Sequence, residues 1–149
     1  MARALNLNRL KQLLEIRQSE RQIAEIDLFE ARRSRDRAEE VVVVASEKLN
    51  NAIQSWQSCR SGQHIDLGIE PSLAKQVILS DSLVNQSKQL AAIAAEREEK
   101  TKDRWQQSDL NMRATEKKAK VAARQVQSKR DEKQLMEAAD QFGYRRITK

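Results

Sequence analysis

Three of the four residues in this 149-residue chain that most disfavour a helix interior lie together, at Gly62, Gly68 and Pro71. The stretches Met1 to Ser61 and Ser72 to Phe142 contain neither glycine nor proline. Glycine and proline are the residues that cost a helix interior most, so their absence permits very long helices and their cluster marks the break. The expected architecture is all-α: a long two-helix antiparallel coiled-coil hairpin forming a single domain. Its first helix covers about 5–61, the turn 62–71 and the second helix about 72–141, with a short basic tail over 142–149. A hairpin of this kind offers no enclosed pocket in which to do chemistry.

The heptad spacing supports it. In the first half, alternating steps of three and four select Leu7, Leu10, Leu14, Arg17, Arg21, Ala24, Leu28, Ala31, Arg35, Ala38, Val42, Ala45, Leu49, Ala52, Trp56 and Cys59. Thirteen of these sixteen are apolar, which defines a seam. The exceptions are arginines, whose stems can lie along a seam while the guanidinium reaches water. Beside the seam, Leu13, Ile16, Ile23 and Ile26 add a broader apolar stripe, either packing for an overhang of the second helix or a docking face.

The second half is less regular. The same stepping selects Leu73, Val77, Val84, Ala91, Ala94, Trp105, Met112, Ala119, Ala122, Val126 and Met136, interleaved with polar residues including Ser87, Glu98, Thr101 and Thr115. Weaker pairing and local fraying are therefore expected, with Leu79, Leu83, Leu90 and Ile93 sharing the packing near the turn. Antiparallel folding pairs residues whose numbers sum to about 133, setting Leu7 near Val126 and leaving Lys129 to Lys149 with nothing opposite. Trp105 then faces Leu28 and Phe29, and Trp56 faces the region of Val77. In the turn, Gly62 is expected to end the first helix in a left-handed conformation, and Pro71 with Ser72 to start the second. Ile65, Leu67 and Ile69 are expected to fold back over the hairpin end.

Composition restricts the chemistry. Aromatic residues make up 3 % and charged residues 34 %, enough apolar bulk for a thin seam but not a thick core. One histidine, His64, and one cysteine, Cys59, supply neither a catalytic constellation nor a structural zinc site, and no glycine-rich phosphate loop is present. No catalytic residue, metal, cofactor or small-molecule substrate is expected. The longest apolar run is Val41 to Ala45, and no signal peptide is visible near Met1. A lone cysteine fits a reducing compartment, so a soluble cytoplasmic protein is expected.

The formal charge of +6 is unevenly placed. Asn111 to Lys149 holds 11 basic and 5 acidic residues, whereas the first 110 positions hold 17 of each. Arg113, Lys117, Lys118, Lys120, Arg124, Lys129, Arg130 and Lys133 form the candidate partner-binding cluster, followed by Tyr144, Arg145, Arg146 and Lys149. An acidic protein surface is the preferred partner, ahead of a solvated helix face. Nucleic acid is disfavoured, since Glu116, Asp131 and Glu132 interrupt the charge and the coil is most simply intramolecular.

The opening Leu10-Lys11-Gln12-Leu13-Leu14-Glu15-Ile16-Arg17, followed by Ser19-Glu20-Arg21, together with the glycine- and proline-free hairpin pattern, resembles the FliJ and YscO stalk proteins of bacterial type III secretion. The resemblance implies a non-enzymatic stalk whose terminal end enters a hexameric export ATPase and stimulates it. It further implies contacts with the cytoplasmic domain of the export gate and with export chaperones, in a flagellar or injectisome system. Recruitment to the cytoplasmic face of the inner membrane would then come through these partners only. The alternative is a generic coiled-coil scaffold or a basic nucleic-acid-associated rod.

Overall fold

The computed structural model describes residues 2–62 and 66–147, with side chains over 5–62 and 66–142. Two helices, α1 (Ala2–Ser61) and α2 (Glu70–Ile147), pair as an antiparallel hairpin. Contacts group into two compact units: unit 1 joins Met1–Ala24 to Trp105–Lys149, and unit 2 comprises Glu25–Arg104.

The seam follows the heptad stepping closely. All sixteen stepped positions from Leu7 to Cys59 are buried or half-buried, and elsewhere between Leu5 and Gly62 only Ser46 and Ile53 are shielded to that degree. On α2 the stepped positions from Leu73 to Val126 are likewise buried or half-buried, polar ones included. From Gln127 to Phe142 every residue is exposed, which leaves the end of α2 unpaired as the register requires.

The polar half of the α2 seam does not interrupt pairing as expected. Ser87, Thr101 and Thr115 are buried, and each hydroxyl donates to a carbonyl of its own helix: Ser87 to Val84 at 2.9 Å, Thr101 to Glu98 at 2.8 Å and Thr115 to Asn111 at 2.9 Å. Such back-bonding satisfies the hydroxyl and leaves a small, methyl-sized surface to the partner helix. In unit 2, Ala31 at 2 % exposure and the buried Ala52 supply equally small surfaces on α1. The core is thin because its members are small.

Four other expectations are corrected. Leu79, Leu83, Leu90 and Ile93 are exposed, because they stand on a flank of α2 and two helices can cover only the seam. Leu13, Ile16, Ile23 and Ile26 are exposed as well, which removes the packing alternative for that stripe. Phe29 lies outside the seam with the Arg33 guanidinium 5.8 Å from its ring centroid, while Leu28 is buried. Leu67 at 81 % exposure and the exposed Ile69 do not fold back over the hairpin end. Ile65 and His64 lie outside the described residues, as do the side chains of Tyr144, Arg145, Arg146 and Lys149.

The helix ends also differ from expectation. No described glycine has a positive φ, so α1 ends at Ser61 without a left-handed cap at Gly62. α2 begins at Glu70, ahead of Pro71 and Ser72, with the Ile69 carbonyl accepting the first helical bonds, from Ser72 and Leu73, and Asp66 holding the turn that leads in. The Asp66 carbonyl accepts from the amides of Ile69 and Glu70, both at 3.1 Å, and its carboxylate accepts from the Gly68 amide at 2.9 Å. A Cβ at position 68 would sit 3.2 Å from that carboxylate oxygen, so glycine there permits the close approach. Pro71, two positions into the helix, lacks an amide where no intrahelical partner is needed. At the other end α2 runs through Gly143 to Ile147 rather than stopping near 141, since one glycine costs a helix only about 1 kcal/mol.

Candidate partner-binding surfaces

The eight basic residues predicted to bind a partner all lie on α2 within unit 1, and all are exposed. They do not form one patch. At 3.6 residues per turn, Arg113, Lys117, Lys120 and Arg124 share one stripe. Lys118 occupies another flank. Lys129 and Lys133 continue the phase of the seam beyond Val126, where both are exposed.

Three of the eight are engaged by nearby acids. Arg113 Nε lies 2.7 Å from Asp109 Oδ2, Lys120 Nζ 2.7 Å from Glu116 Oε1, and Lys133 Nζ a looser 3.7 Å from Glu137 Oε1. A side-chain hydrogen bond from Lys120, with its charge, holds the Glu116 carboxyl below its ordinary range. Among the described residues, Lys117, Lys118, Arg124, Lys129 and Arg130 have no ion-pair partner, which leaves five cations for an external acid.

Sequence reasoning missed the ionic contacts across the seam. In unit 1, Arg21 Nε sits 2.8 Å from Asp109 Oδ1, with Arg113 on the other carboxylate oxygen. Arg21 Nε and Asp109 Oδ1 are close in distance yet share no aligned hydrogen bond, so the attraction is chiefly between charges. In unit 2, Glu98 takes Arg35 at 2.8 Å and Arg32 at 3.4 Å. Arg35 is raised above its ordinary pKa by its hydrogen bond to Asp36 and by the charges of Glu98 and Glu39. Two of the three seam arginines thus meet acids on the facing helix instead of only reaching water; Arg17 pairs with Glu20 on its own helix at 2.7 Å. The register that sets Arg35 opposite Glu98 was available from the turn position and carried this signal.

Unit 2 has a second surface that sequence reasoning did not isolate. An open groove of about 290 Å³ runs beside its seam, with Val41 and Val44 on one wall, Leu83 and Leu90 on the other, and Lys48 at its edge. Its walls are exposed aliphatic side chains, and a lysine at the rim suits an apolar segment bearing an acid. Toward the turn, the Trp56 indole donates to Glu70 at 3.1 Å, and the Arg60 guanidinium lies 5.0 Å from the Trp56 ring centroid.

Among the described residues no cluster of three or more histidine, cysteine or acidic side chains could hold a metal ion, and Cys59 is a half-buried free thiol on the seam. No described helix is long and apolar enough to cross a membrane. No protein-family model matches the chain, and neither a curated protein nor a solved structure matches it.

Proposed function

We propose that this chain is a non-enzymatic accessory protein of a type III export apparatus, binding and stimulating a hexameric export ATPase through the end that carries the two chain termini. The observation that carries this reading is the state of α2 in unit 1. Past Val126 it is a helix exposed all round, and it follows directly on a segment whose cations face solvent. The exposed cations of that preceding segment, from Arg113 to Arg124, suit an acidic protein opening, where charge steers association and sets register.

Coupling then needs no chemistry on this chain. A helical hairpin seated off-centre among ATPase subunits favours whichever subunit conformation it contacts better, and differential contact alone shifts their populations. The groove beside Val44 and Leu83 in unit 2 is the candidate surface for a second partner, the cytoplasmic domain of the export gate or an export chaperone. In this reading the protein works in the cytoplasm, at the inner membrane through its partners, in a flagellar or injectisome system.

The test is co-sedimentation of the full chain with export ATPase from the same bacterium at modest salt. Retention in the hexamer fraction, lost on reversing Lys117 and Arg124 to glutamate, is the expected result; a folded chain that never enters that fraction refutes the assignment.

A second reading, a nucleic-acid-associated scaffold, rests on the same five unpaired cations. DNA retardation with a salt slope near 0.9 per neutralised phosphate would favour it over the export reading.

A further inference from the structure

Unit 1 carries a second stripe on α2, following the helical repeat and distinct from the seam. Steps of four and three select Arg113, Lys117, Lys120, Arg124, Ser128, Asp131, Leu135, Ala138 and Phe142. At 100° per residue these nine stay within one face, close to the opposite side of α2 from Val126 and the seam. All nine are exposed, with Leu135 and Phe142 each at 71 %. The stripe is divided in composition: four cations lie in its first half, and two large apolar side chains flank an alanine at its end.

Neither half is explained by the hairpin. α1 occupies the seam side of α2, so the stripe contributes nothing to pairing. A solvated face has no need of Leu135 and Phe142 seven residues apart with Ala138 between them, the spacing by which a helix inserts anchors into a partner groove. The two halves are about 27 Å apart from Lys117 to Leu135 at 1.5 Å per residue, so one extended surface would have to meet both.

We propose that this stripe is a bipartite docking face for a protein surface that presents acidic side chains along its first half and an apolar cleft at its end. Charge complementarity selects the acidic chemistry. Arg113 and Lys120 already share acids of their own helix, which leaves Lys117 and Arg124 as the open cations of the stripe. Leu135 and Phe142 select the cleft. Phosphate backbones satisfy only the first half, and a protein partner satisfies both. The proposal rests on the reading that the basic end of this chain meets a protein, and it specifies the chemistry of that contact. The cationic half governs encounter and salt dependence; the apolar half governs residence time.

A synthetic helix-turn-helix peptide, with glutamates along one half of the groove between its helices and leucines lining the other half, probes the face by fluorescence anisotropy. The full chain binds it. Leu135→Asp with Phe142→Asp weakens binding about tenfold or more at every salt concentration, as expected for two apolar anchors removed from a cleft. Lys117→Glu with Arg124→Glu weakens it mainly at low salt. Lys118→Glu with Lys129→Glu, both off the stripe, serves as the control, and circular dichroism verifies that each variant remains helical. Absence of peptide binding, equal losses in the control pair, or binding of anionic vesicles in preference to the peptide overturns the proposal. Export ATPase is measured in parallel to separate the two readings. Peptide binding without ATPase binding refutes the export assignment and leaves the stripe standing. ATPase binding unaffected by all four stripe substitutions refutes the stripe and leaves the assignment standing.

Discussion

Arg21 of α1 and Asp109 of α2 meet at 2.8 Å in unit 1, where Asp109 is buried and also holds Arg113 at 2.7 Å. A buried carboxylate between two arginines is a sensitive point, because removing it strands a shielded positive charge. Arg21 is partly exposed, which reduces the penalty. Asp109→Ala is expected to cost about 1–2 kcal/mol, below the full cost of breaking a deeply buried pair. A double-mutant cycle with Arg21→Ala in urea denaturation measures the coupling; additive losses would show that the pair contributes nothing of its own.

The small residues of the seam respond in opposite directions according to their role. Ala31→Leu forces a larger side chain into a closed contact and is expected to cost about 1–3 kcal/mol. Ser87→Ala removes a hydroxyl bonded only within its own helix and substitutes the best helix former, so its effect is expected to stay within about 0.5 kcal/mol or to be stabilising. Thermal melts of the two variants, side by side, check both directions.

These contrasts show which features were legible in sequence. The seam could be read because glycine and proline fix where the chain breaks, and the seven-residue repeat then fixes which side chains face inward. Stepping through α2 also located Ser87, Thr101 and Thr115, but residue type alone suggested disruption, since back-bonding to the helix's own carbonyls is visible only once the helix exists. The exposed flank of Leu79 and Leu83 was misjudged because hydrophobicity was equated with burial, whereas two helices can cover only one stripe of each other. The basic cluster was found, but treating charge as a count concealed that Arg113 and Lys120 have acids of their own and that the rest divide between faces.

The start of α2 depends on Asp66, a residue overlooked because Pro71 dominates that stretch. Asp66→Ala removes the bond to the Gly68 amide and is expected to cost about 1 kcal/mol, the usual net value of one hydrogen bond. Ser72→Ala, by contrast, should be nearly neutral. Faster hydrogen exchange confined to residues 68–74 in the Asp66 variant is the corresponding local signature.

Acid should weaken the hairpin through exposed helix pairs. The hydrogen bond and charge of Lys100 hold Glu96 below its ordinary value of 4.5, and Lys120 does the same for Glu116. A carboxyl whose folded pKa is depressed contributes stability above its unfolded value and loses it as pH falls through the folded one. Stability is therefore expected to decline as pH drops below about 4.5, and Glu96→Gln with Glu116→Gln should make that decline shallower. Urea midpoints across the acid range measure the slope; an unchanged slope in the double variant would contradict the assignment.

The measurement that bears most directly on function is turnover of purified export ATPase, from the same bacterium, with and without the full chain. The account predicts stimulation that saturates with this protein and is lost when Lys117 and Arg124 are reversed to glutamate, while Lys118→Glu with Lys129→Glu retains more of it. Turnover unchanged by a folded, helical wild-type chain at saturating concentration would contradict the export assignment and leave the hairpin as a scaffold for some other partner.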